Sequence, residues 1–401
     1  MIASCTRRSA PYRRWLAAVL LGTLAVAVAG CGAPKTATYV DPNKPGAFAG
    51  GESDPASDFG ALEFEHALNI ERLRARVIAA RALMRRSNSD LARAQLESAA
   101  DETLIGALGA TALQSPQRSK QLLAAWRAAG GPTPPNSWHT NGNEEQNSPP
   151  NLASIDRLLT QIEQASQLVT PAPARDSGAW HAAIVSALME DSGTAYENAY
   201  LEGIATDTTS QYAQGWGTVQ GALKQARKLP VERRTQIEDA IAQYASSYFP
   251  AVAPQSDNHS DTDQVVETQG EVSALVEDTF RIMVNGREPR KDAPECIVRT
   301  RRTGAQLADA LAQPPARNTN ARSLDEYLGD VTASYQTCAA DIASLDPALA
   351  GRIEYALAVS IPVALEDKST STATSITANL DSDLVQAASL VSDELDALAQ
   401  E

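Results

Sequence analysis

The chain contains few of the residues that most often build catalytic or metal centres. Its 401 residues include four histidines and four cysteines, and aromatic residues make up only 5% of the composition. The histidines have no paired zinc-binding spacing, and the sequence lacks Cys-x-x-Cys-His, Gly-x-x-x-x-Gly-Lys-Ser/Thr and Gly-x-Ser-x-Gly. These absences argue against a zinc hydrolase, a covalent haem protein, a P-loop nucleotide-binding protein and a serine hydrolase. We therefore predict that the chain is not an enzyme.

Positive charge is scarce as well. Lys and Arg number 34 against 49 Asp and Glu, a net charge of −15, and loss of the four arginines among the first 14 residues would make it −19. An acidic surface repels phosphate groups, so we expect neither nucleic acid nor anionic lipid headgroups as partners. Such a surface attracts cations, but it also keeps an exported protein soluble, which is the simpler explanation.

The N-terminus carries a pattern typical of an export signal. Four arginines between positions 7 and 14 precede an apolar run from Trp15 to Val28, and Ala29-Gly30-Cys31 follows. This ending resembles the bacterial lipobox, in which the cysteine becomes the first residue and receives acyl chains such as palmitate. We expect residues 1–30 to be a lipoprotein signal peptide and Cys31 to be the lipidation site. The alternative is an uncleaved transmembrane anchor, which needs about 20 apolar residues, and this run is shorter.

The lipobox resemblance implies a location. A protein acylated at Cys31 is held on the membrane, in the cell envelope and outside the cytoplasm. Because Gly32 rather than Asp follows the cysteine, we expect the outer membrane, facing the periplasm, if the organism is Gram-negative. Residues 31–60 are rich in Pro, Gly, Ala and Ser without a hydrophobic period, so they are predicted to form a flexible tether.

Two cysteines remain for the folded part of the chain. Cys5 lies in the predicted signal peptide and Cys31 is the predicted lipid site, which leaves Cys296 and Cys338. An oxidising compartment favours the pairing of two such thiols. We therefore predict a disulfide between them.

Downstream of the tether, apolar residues recur at three- and four-residue spacing, and no stretch alternates as a strand would. Ala, Leu, Gln, Glu and Arg, which are good helix formers, dominate these segments. The predicted fold class is all-α, with two or three helical bundles or a helical array. The predicted helices include 90–112, 299–312, 323–342, 347–366 with a kink at Pro362, and 376–399.

Segments that are rich in loop-forming residues predict the domain boundaries. Proline, glycine and polar residues concentrate at 131–150, which we interpret as a linker. We expect an N-terminal helical region at 61–130, a central helical domain at 151–285, and a C-terminal helical domain at 286–401 that contains the disulfide. Two segments, Val185–Asp191 and Val272–Asp278, are identical at six of seven positions, either through duplication or by chance.

Two groups of residues are candidate metal ligands. Glu63 and His66 form a Glu-x-x-His spacing, which places a carboxylate and an imidazole on one helix face as in di-iron bundles. The spacing occurs once, so an ordinary surface pair is the simpler interpretation. The second group offers carboxylates and phenols to an oxygen-preferring cation such as ferric iron, unless it is merely the end of an amphipathic helix, and consists of Glu190, Asp191, Tyr196 and Tyr200.

The second group lies in a run that resembles the helical extracytoplasmic domain of bacterial high-affinity iron permeases. The resemblance rests on a helix ending in an acidic and tyrosine-containing segment, a glycine turn and a second helix with an aromatic residue, found here at Ala187–Asp191, Tyr196–Tyr200, Gly203-Ile204 and Gln211–Trp216. Histidines expected in the preceding region are replaced by residues such as Arg72, Leu73 and Ala99. The Arg-Glu-x-x-Glu membrane motif is missing, so the chain is not itself a transporter.

These observations together predict a lipid-anchored, extracytoplasmic, all-helical binding or accessory lipoprotein. The permease resemblance implies a link to iron uptake, iron as the bound cofactor and an iron permease as the partner. The alternative is a structural or protein-interaction lipoprotein of the cell envelope, which has a protein partner and no small ligand.

Overall fold

The computed structural model describes residues 60–100, 103–132, 149–200, 208–254, 260–282, 289–312 and 322–399. The regular elements in these ranges are helices and none is a strand, which confirms the all-α prediction. The predicted signal peptide, Cys31, nearly all of the predicted tether and most of the predicted linker lie outside the described residues.

Nine helices lie in the described residues before 283. They are α1 Ala61–Arg85, α2 Ser89–Ala99, α3 Thr103–Gln114, α4 Pro116–Ala128, α5 Leu152–Val169, α6 Gly178–Tyr200, α7 Thr208–Ala226, α8 Val231–Tyr248 and α9 Thr262–Phe280. A short 3₁₀ turn, Ala172–Asp176, joins α5 to α6. Polar residues fix several starts, since the side chains of Asn88, Ser115 and Asn151 accept the backbone N–H three residues ahead.

Six helices follow in the described ranges after residue 288. They are α10 Ala293–Ala312, α11 Leu324–Gln336, α12 Ala339–Leu345, α13 Pro347–Tyr355, α14 Ile361–Glu366 and α15 Thr370–Leu398. A π-helical segment, Ala356–Ser360, connects α13 to α14 without a break. Ser323 and Glu326 form a reciprocal capping box at the start of α11.

Helix α1 is the centre of the first hydrophobic core. Its residues are buried on nearly every face, and it packs against α2, α3, α5 and α7. The same core includes α6, which packs against α7 on one side and α9 on the other, and it extends from Phe64 to Ile282. The predicted N-terminal and central regions therefore share one core.

A second hydrophobic core contains α10 to α15 and extends from Ala293 to Val391. Helix α10 packs against both α11 and α15. Cys296 on α10 and Cys338, just before α12, are joined by a disulfide with their Cα atoms 5.9 Å apart, in agreement with the predicted pairing.

Several helix boundaries differ from the predicted ones. The predicted helix at 90–112 is two helices, α2 and α3, and the one at 323–342 is also two, α11 and α12. Helix α10 begins at Ala293 rather than 299, and α15 begins at Thr370 rather than 376. The spacing of apolar residues indicates which face of a helix is buried. It does not indicate where the chain changes direction, because the same spacing can continue from one helix into the next.

Pro362 lies directly after the π-helical segment. The wider turn is closed by the N–H of Ile361, which donates to the carbonyl of Ala356. Since proline has no N–H to donate, a departure from regular α-helix is expected just before it. In the described part of the chain, Pro347–Glu366 is the one stretch long and apolar enough to cross a bilayer, with a mean hydropathy of 1.4, and 67% of it is buried within the fold.

The two similar segments lie on α6 and α9, which pack against each other as antiparallel neighbours. Ser186 donates a hydrogen bond of 2.6 Å to Glu277, and further along the pair a Cβ at Gly193 would contact Gln269. The two segments therefore meet across one helix interface, and duplication of a helical unit stays a prediction.

Candidate functional site

The two cores meet where α3 crosses α13. The backbones approach so closely there that a Cβ at Gly109 would lie 2.5 Å from the Cα of Gly351. Glycine at both positions permits this contact because any side chain would separate the helices. The crossing fixes how α1, α3 and α13 lie around a space between the cores.

That space is a cavity of about 430 Å³, which we call the junction cavity. Residues of α1, α6 and α7 form one side, and the start of α3 and the turn from α12 to α13 form the other. Its charged and hydrogen-bonding lining residues are Asn69, Arg72, Arg76, Thr103, Asp191, Gln214, Thr218 and Asp346. The volume lies within the range of small-molecule sites in proteins.

Arg72 and Asp191 form the charged wall of the junction cavity. Nε of Arg72 donates to one carboxylate oxygen of Asp191 at 2.7 Å, and an Nη donates to the other at 2.9 Å. This planar, two-point pairing fixes both side chains across the α1–α6 interface. The Asp191 carboxylate raises the pKa of Arg72 although burial acts to lower it, so the guanidinium stays charged.

Two carboxamides in the cavity wall have hydrogen-bonding capacity that the described residues do not use. Asn69 is only 3% exposed, and within the described ranges no hydrogen bond involves its side chain. The side-chain oxygen of Gln214 is buried and also has no partner among these residues. Buried polar atoms are nearly always paired in folded proteins, so the unpaired Gln214 oxygen, together with the Asn69 amide in the same lining, indicates a site for a polar ligand.

The predicted metal ligands Glu63 and His66 lie near this junction but face a different partner. His66 is buried, and its Nε2 is 2.8 Å from Oε1 of Glu354 on α13. Burial acts to lower the pKa of His66, but the Glu354 carboxylate outweighs it and holds that pKa above the usual 6.5. Glu63 lies one turn earlier on α1, beside Gly60. His66 therefore belongs to the contact between the two cores, and Glu63 does not share its partner.

The predicted ligands Glu190 and Asp191 are adjacent in sequence but lie in different surroundings. Both carboxylate oxygens of Asp191 accept hydrogen bonds from Arg72. Glu190 is exposed, and no hydrogen bond or ion pair within the described structure engages its side chain. A metal cation could bind Asp191 only by displacing the Arg72 guanidinium, which already neutralises this carboxylate.

Tyr196 and Tyr200 lie in an aromatic cluster at the far end of α6. Their ring centroids are 4.7 Å apart, and the Tyr196 hydroxyl accepts a hydrogen bond from the backbone N–H of Ser260. Burial raises the pKa of Tyr196, and it raises that of Tyr200 to about 12. A metal ligand of this type must lose its proton, so the environment opposes ligation by these phenols. The cluster is completed by Tyr212, Tyr244, Tyr248 and Phe249.

The six predicted metal ligands thus fall into separate contacts rather than one shell. Among the described residues, no group of three or more His, Cys, Asp or Glu side chains is placed to hold a metal ion. A second cavity, of about 550 Å³, lies between α10 and α15. Within the described structure its lining has no buried polar atom without a partner, so the junction cavity is the better candidate.

A buried charged network lies beside the site, on the other side of α1. Glu71 and Arg74, both 1% exposed, form an ion pair, and Ser166 donates a hydrogen bond of 3.0 Å to Glu71. Arg74 also reaches Glu163, which Lys224 contacts at 2.7 Å. Although burial opposes ionisation of Glu71, Arg74 keeps its pKa below the usual value. These groups satisfy one another, so we assign the network to stability.

Sequence reasoning singled out few of the residues that line the junction cavity. Asp191 was a candidate, and Arg72 and Gln214 entered only through the permease resemblance. Asn69, Thr103 and Asp346 carry no motif, because they come from separate helices and meet only in the fold. One feature of the sequence could have indicated the site: Asn69 is a polar residue on the buried face of α1, where apolar residues are expected.

Comparisons with protein-family models, with curated proteins and with solved structures find no match to this chain.

Proposed function

We propose that this chain is a lipid-anchored extracytoplasmic protein that binds a small polar ligand in the junction cavity and has no catalytic role. The observation that carries the proposal is the polar wall of one cavity, in which the carboxamides of Asn69 and Gln214 both take part and the Gln214 oxygen has no partner among the described residues. A ligand that hydrogen-bonds to both would replace the water that these groups otherwise need. The lipobox at Cys31 supports the anchoring part of the proposal.

The anchor is tested by labelling. Cells that express the full chain are grown with a radiolabelled or alkyne-bearing palmitate, and the wild type is compared with Cys31→Ser. We expect label and membrane association in the wild type only. Equal labelling of the two proteins would refute lipidation at this cysteine.

The cavity is tested with the detergent-purified full chain and a panel of amino acids, sugars, carboxylates, phosphate and ferric citrate. A ligand that binds only the folded state raises the melting temperature in a concentration-dependent way. We expect at least one compound to do so in the wild type and to lose about tenfold or more of its affinity in Gln214→Met, which removes the unpaired oxygen with little change of shape. Loss of the shift in Gln236→Met, an exposed residue of α8, would contradict the assignment.

Ferric citrate belongs in the panel because the link to iron uptake stays a prediction. Saturable iron binding that disappears in Glu190→Gln combined with Asp191→Asn would support the iron interpretation. Iron binding that persists in that double variant would remove these two carboxylates as its ligands.

A further inference from the structure

The junction cavity presents hydrogen-bond donors and acceptors at the same time. Asp191 occupies two of the five N–H groups of Arg72, so the guanidinium keeps donors for a second partner. The unpaired Asn69 amide adds two N–H donors and one acceptor. A carboxylate is the group that a guanidinium and an amide N–H recognise best together.

Acceptors for a cationic group come from the same lining. The Gln214 side-chain oxygen is buried and unpaired within the described structure. Asp346 uses one carboxylate oxygen to cap α13, where it accepts the N–H of Leu349 at 2.8 Å, and the carboxylate retains further acceptor capacity. An ammonium group, with three N–H donors and a positive charge, fits these acceptors.

Other ligand classes fit the cavity less well. Among the described lining residues the charged groups are two arginines and two aspartates, whose charges balance, so these groups do not favour a polyanion or a multivalent cation. The part of the lining that the structure describes contains no aromatic ring, so it offers sugars and nucleobases no stacking surface. Small apolar walls are supplied by Ala75, Leu345, Pro347 and Ala348.

Building on the proposed function, we infer that the junction cavity binds the zwitterion of an α-amino acid or short peptide. The carboxylate lies against Arg72 and Asn69, and the ammonium group lies against Gln214 and Asp346. The small apolar wall accommodates a short aliphatic side chain.

The test compares L-alanine and L-alanyl-L-alanine with N-acetyl-L-alanine, which has no ammonium group, and L-alaninamide, which has no carboxylate. Calorimetric titration of the detergent-purified full chain should show saturable binding of at least one zwitterion. The two blocked compounds should bind at least about tenfold more weakly, because each leaves buried groups of the site unpaired.

The variant Asn69→Leu distinguishes a loss of ligand binding from a loss of folding. It keeps the shape of the side chain and removes an amide that has no protein partner, so the variant should melt at or above the wild-type temperature while binding of the zwitterion is lost. Retained binding in Asn69→Leu would overturn the inference.

The outcomes also distinguish the inference from the proposed function. If a neutral or singly charged compound of the wider panel binds in a Gln214-dependent way and neither zwitterion does, the cavity is a site but the ligand class is wrong. If the zwitterions bind equally to the wild type, Gln214→Met and Asn69→Leu, the junction cavity is not their site, and both proposals fail.

Discussion

Nε2 of His66 lies 2.8 Å from Oε1 of Glu354, and both side chains are buried although 288 positions separate them in the chain. The hydroxyl of Tyr335 is also near this carboxylate, at 3.5 Å. The contact joins the helix at the centre of the first core to the second core, next to the Gly109–Gly351 crossing. A buried charge pair with few partners is sensitive both to pH and to loss of either member.

The first prediction concerns the pH dependence of stability through His66. Its pKa is raised in the folded state, so its stabilising contribution is complete below the unfolded value of 6.5 and is lost as the pH rises through the folded pKa. The free energy of unfolding in urea should therefore fall less between pH 6 and pH 8.5 in His66→Gln than in the wild type. At pH 6 the variant should be destabilised, by up to about 3 to 5 kcal/mol, because Glu354 loses its cation.

His181 is the matched control for that measurement. It is also buried, but burial lowers its pKa, so its contribution is complete above 6.5 and is lost as the pH falls through the folded pKa. His181→Gln should change the pH profile in the opposite direction. Equal profiles for the two variants would show that the Glu354 contact does not control His66.

The second prediction concerns the crossing of α3 and α13. A Cβ at Gly351 would lie 2.7 Å from the Cα of Gly106, a contact that backbone atoms cannot relieve without moving the helices. Gly351→Ala should lower the free energy of unfolding by about 1 to 3 kcal/mol or more, as overpacking does.

Gly329→Ala is the control, since a Cβ at this exposed position inside α11 meets nothing within 4 Å. It should raise stability by about 0.5 to 1 kcal/mol through helix propensity. Chemical denaturation of both variants measures the difference. Similar stability for the two variants would show that the close crossing is not required by the fold.

The third prediction concerns the buried pair of Glu71 and Arg74. Arg74→Met removes the cation and leaves a buried carboxylate, so it should cost about 3 to 5 kcal/mol at pH 7. The wild-type pair contributes fully above the unfolded Glu71 value of 4.5 and loses that contribution as the pH falls through the lowered folded pKa. The cost of the substitution should therefore shrink in acid.

The comparison for Arg74 is an exposed pair of similar geometry. Arg301 donates to Asp381 at 2.9 Å, and both side chains are at least 40% exposed. Arg301→Met should cost less than about 1 kcal/mol, because water screens the charges in either state. Urea unfolding of both variants at pH 7 and at about pH 3, below the unfolded Glu71 value, gives both comparisons. Equal costs of Arg74→Met and Arg301→Met at pH 7 would refute the role assigned to burial.

The sequence was sufficient for the fold class and for one covalent link. The three- and four-residue apolar spacing specifies helices because it creates one continuous buried face, as in α5 with Ile155, Leu158 and Ile162. The pairing of Cys296 with Cys338 followed from elimination of the other two cysteines. The apolar spacing depends only on residues within one helix, and the cysteine pairing depends only on which residues are cysteines. Both can therefore be read from the sequence.

The candidate site could not be predicted in the same way. Glu63 and His66 share a helix face, as their spacing requires, but only the tertiary structure supplies Glu354 as the partner of His66. Asp191 was recognised as a candidate ligand, whereas its engagement by Arg72 depends on how α1 packs against α6. Glu190 is exposed, whereas the adjacent Asp191 lines the junction cavity and pairs with Arg72, so sequence proximity does not imply a shared role.

What the sequence by itself determined is therefore the all-α fold class, since helix formation depends on residues that are near one another in the chain. The tertiary structure alone decided that two cores meet at the glycine crossing and enclose a polar cavity. Its unpaired amides, Asn69 on α1 and Gln214 on α7, come together only because packing of apolar helix faces brings distant polar residues to the same place.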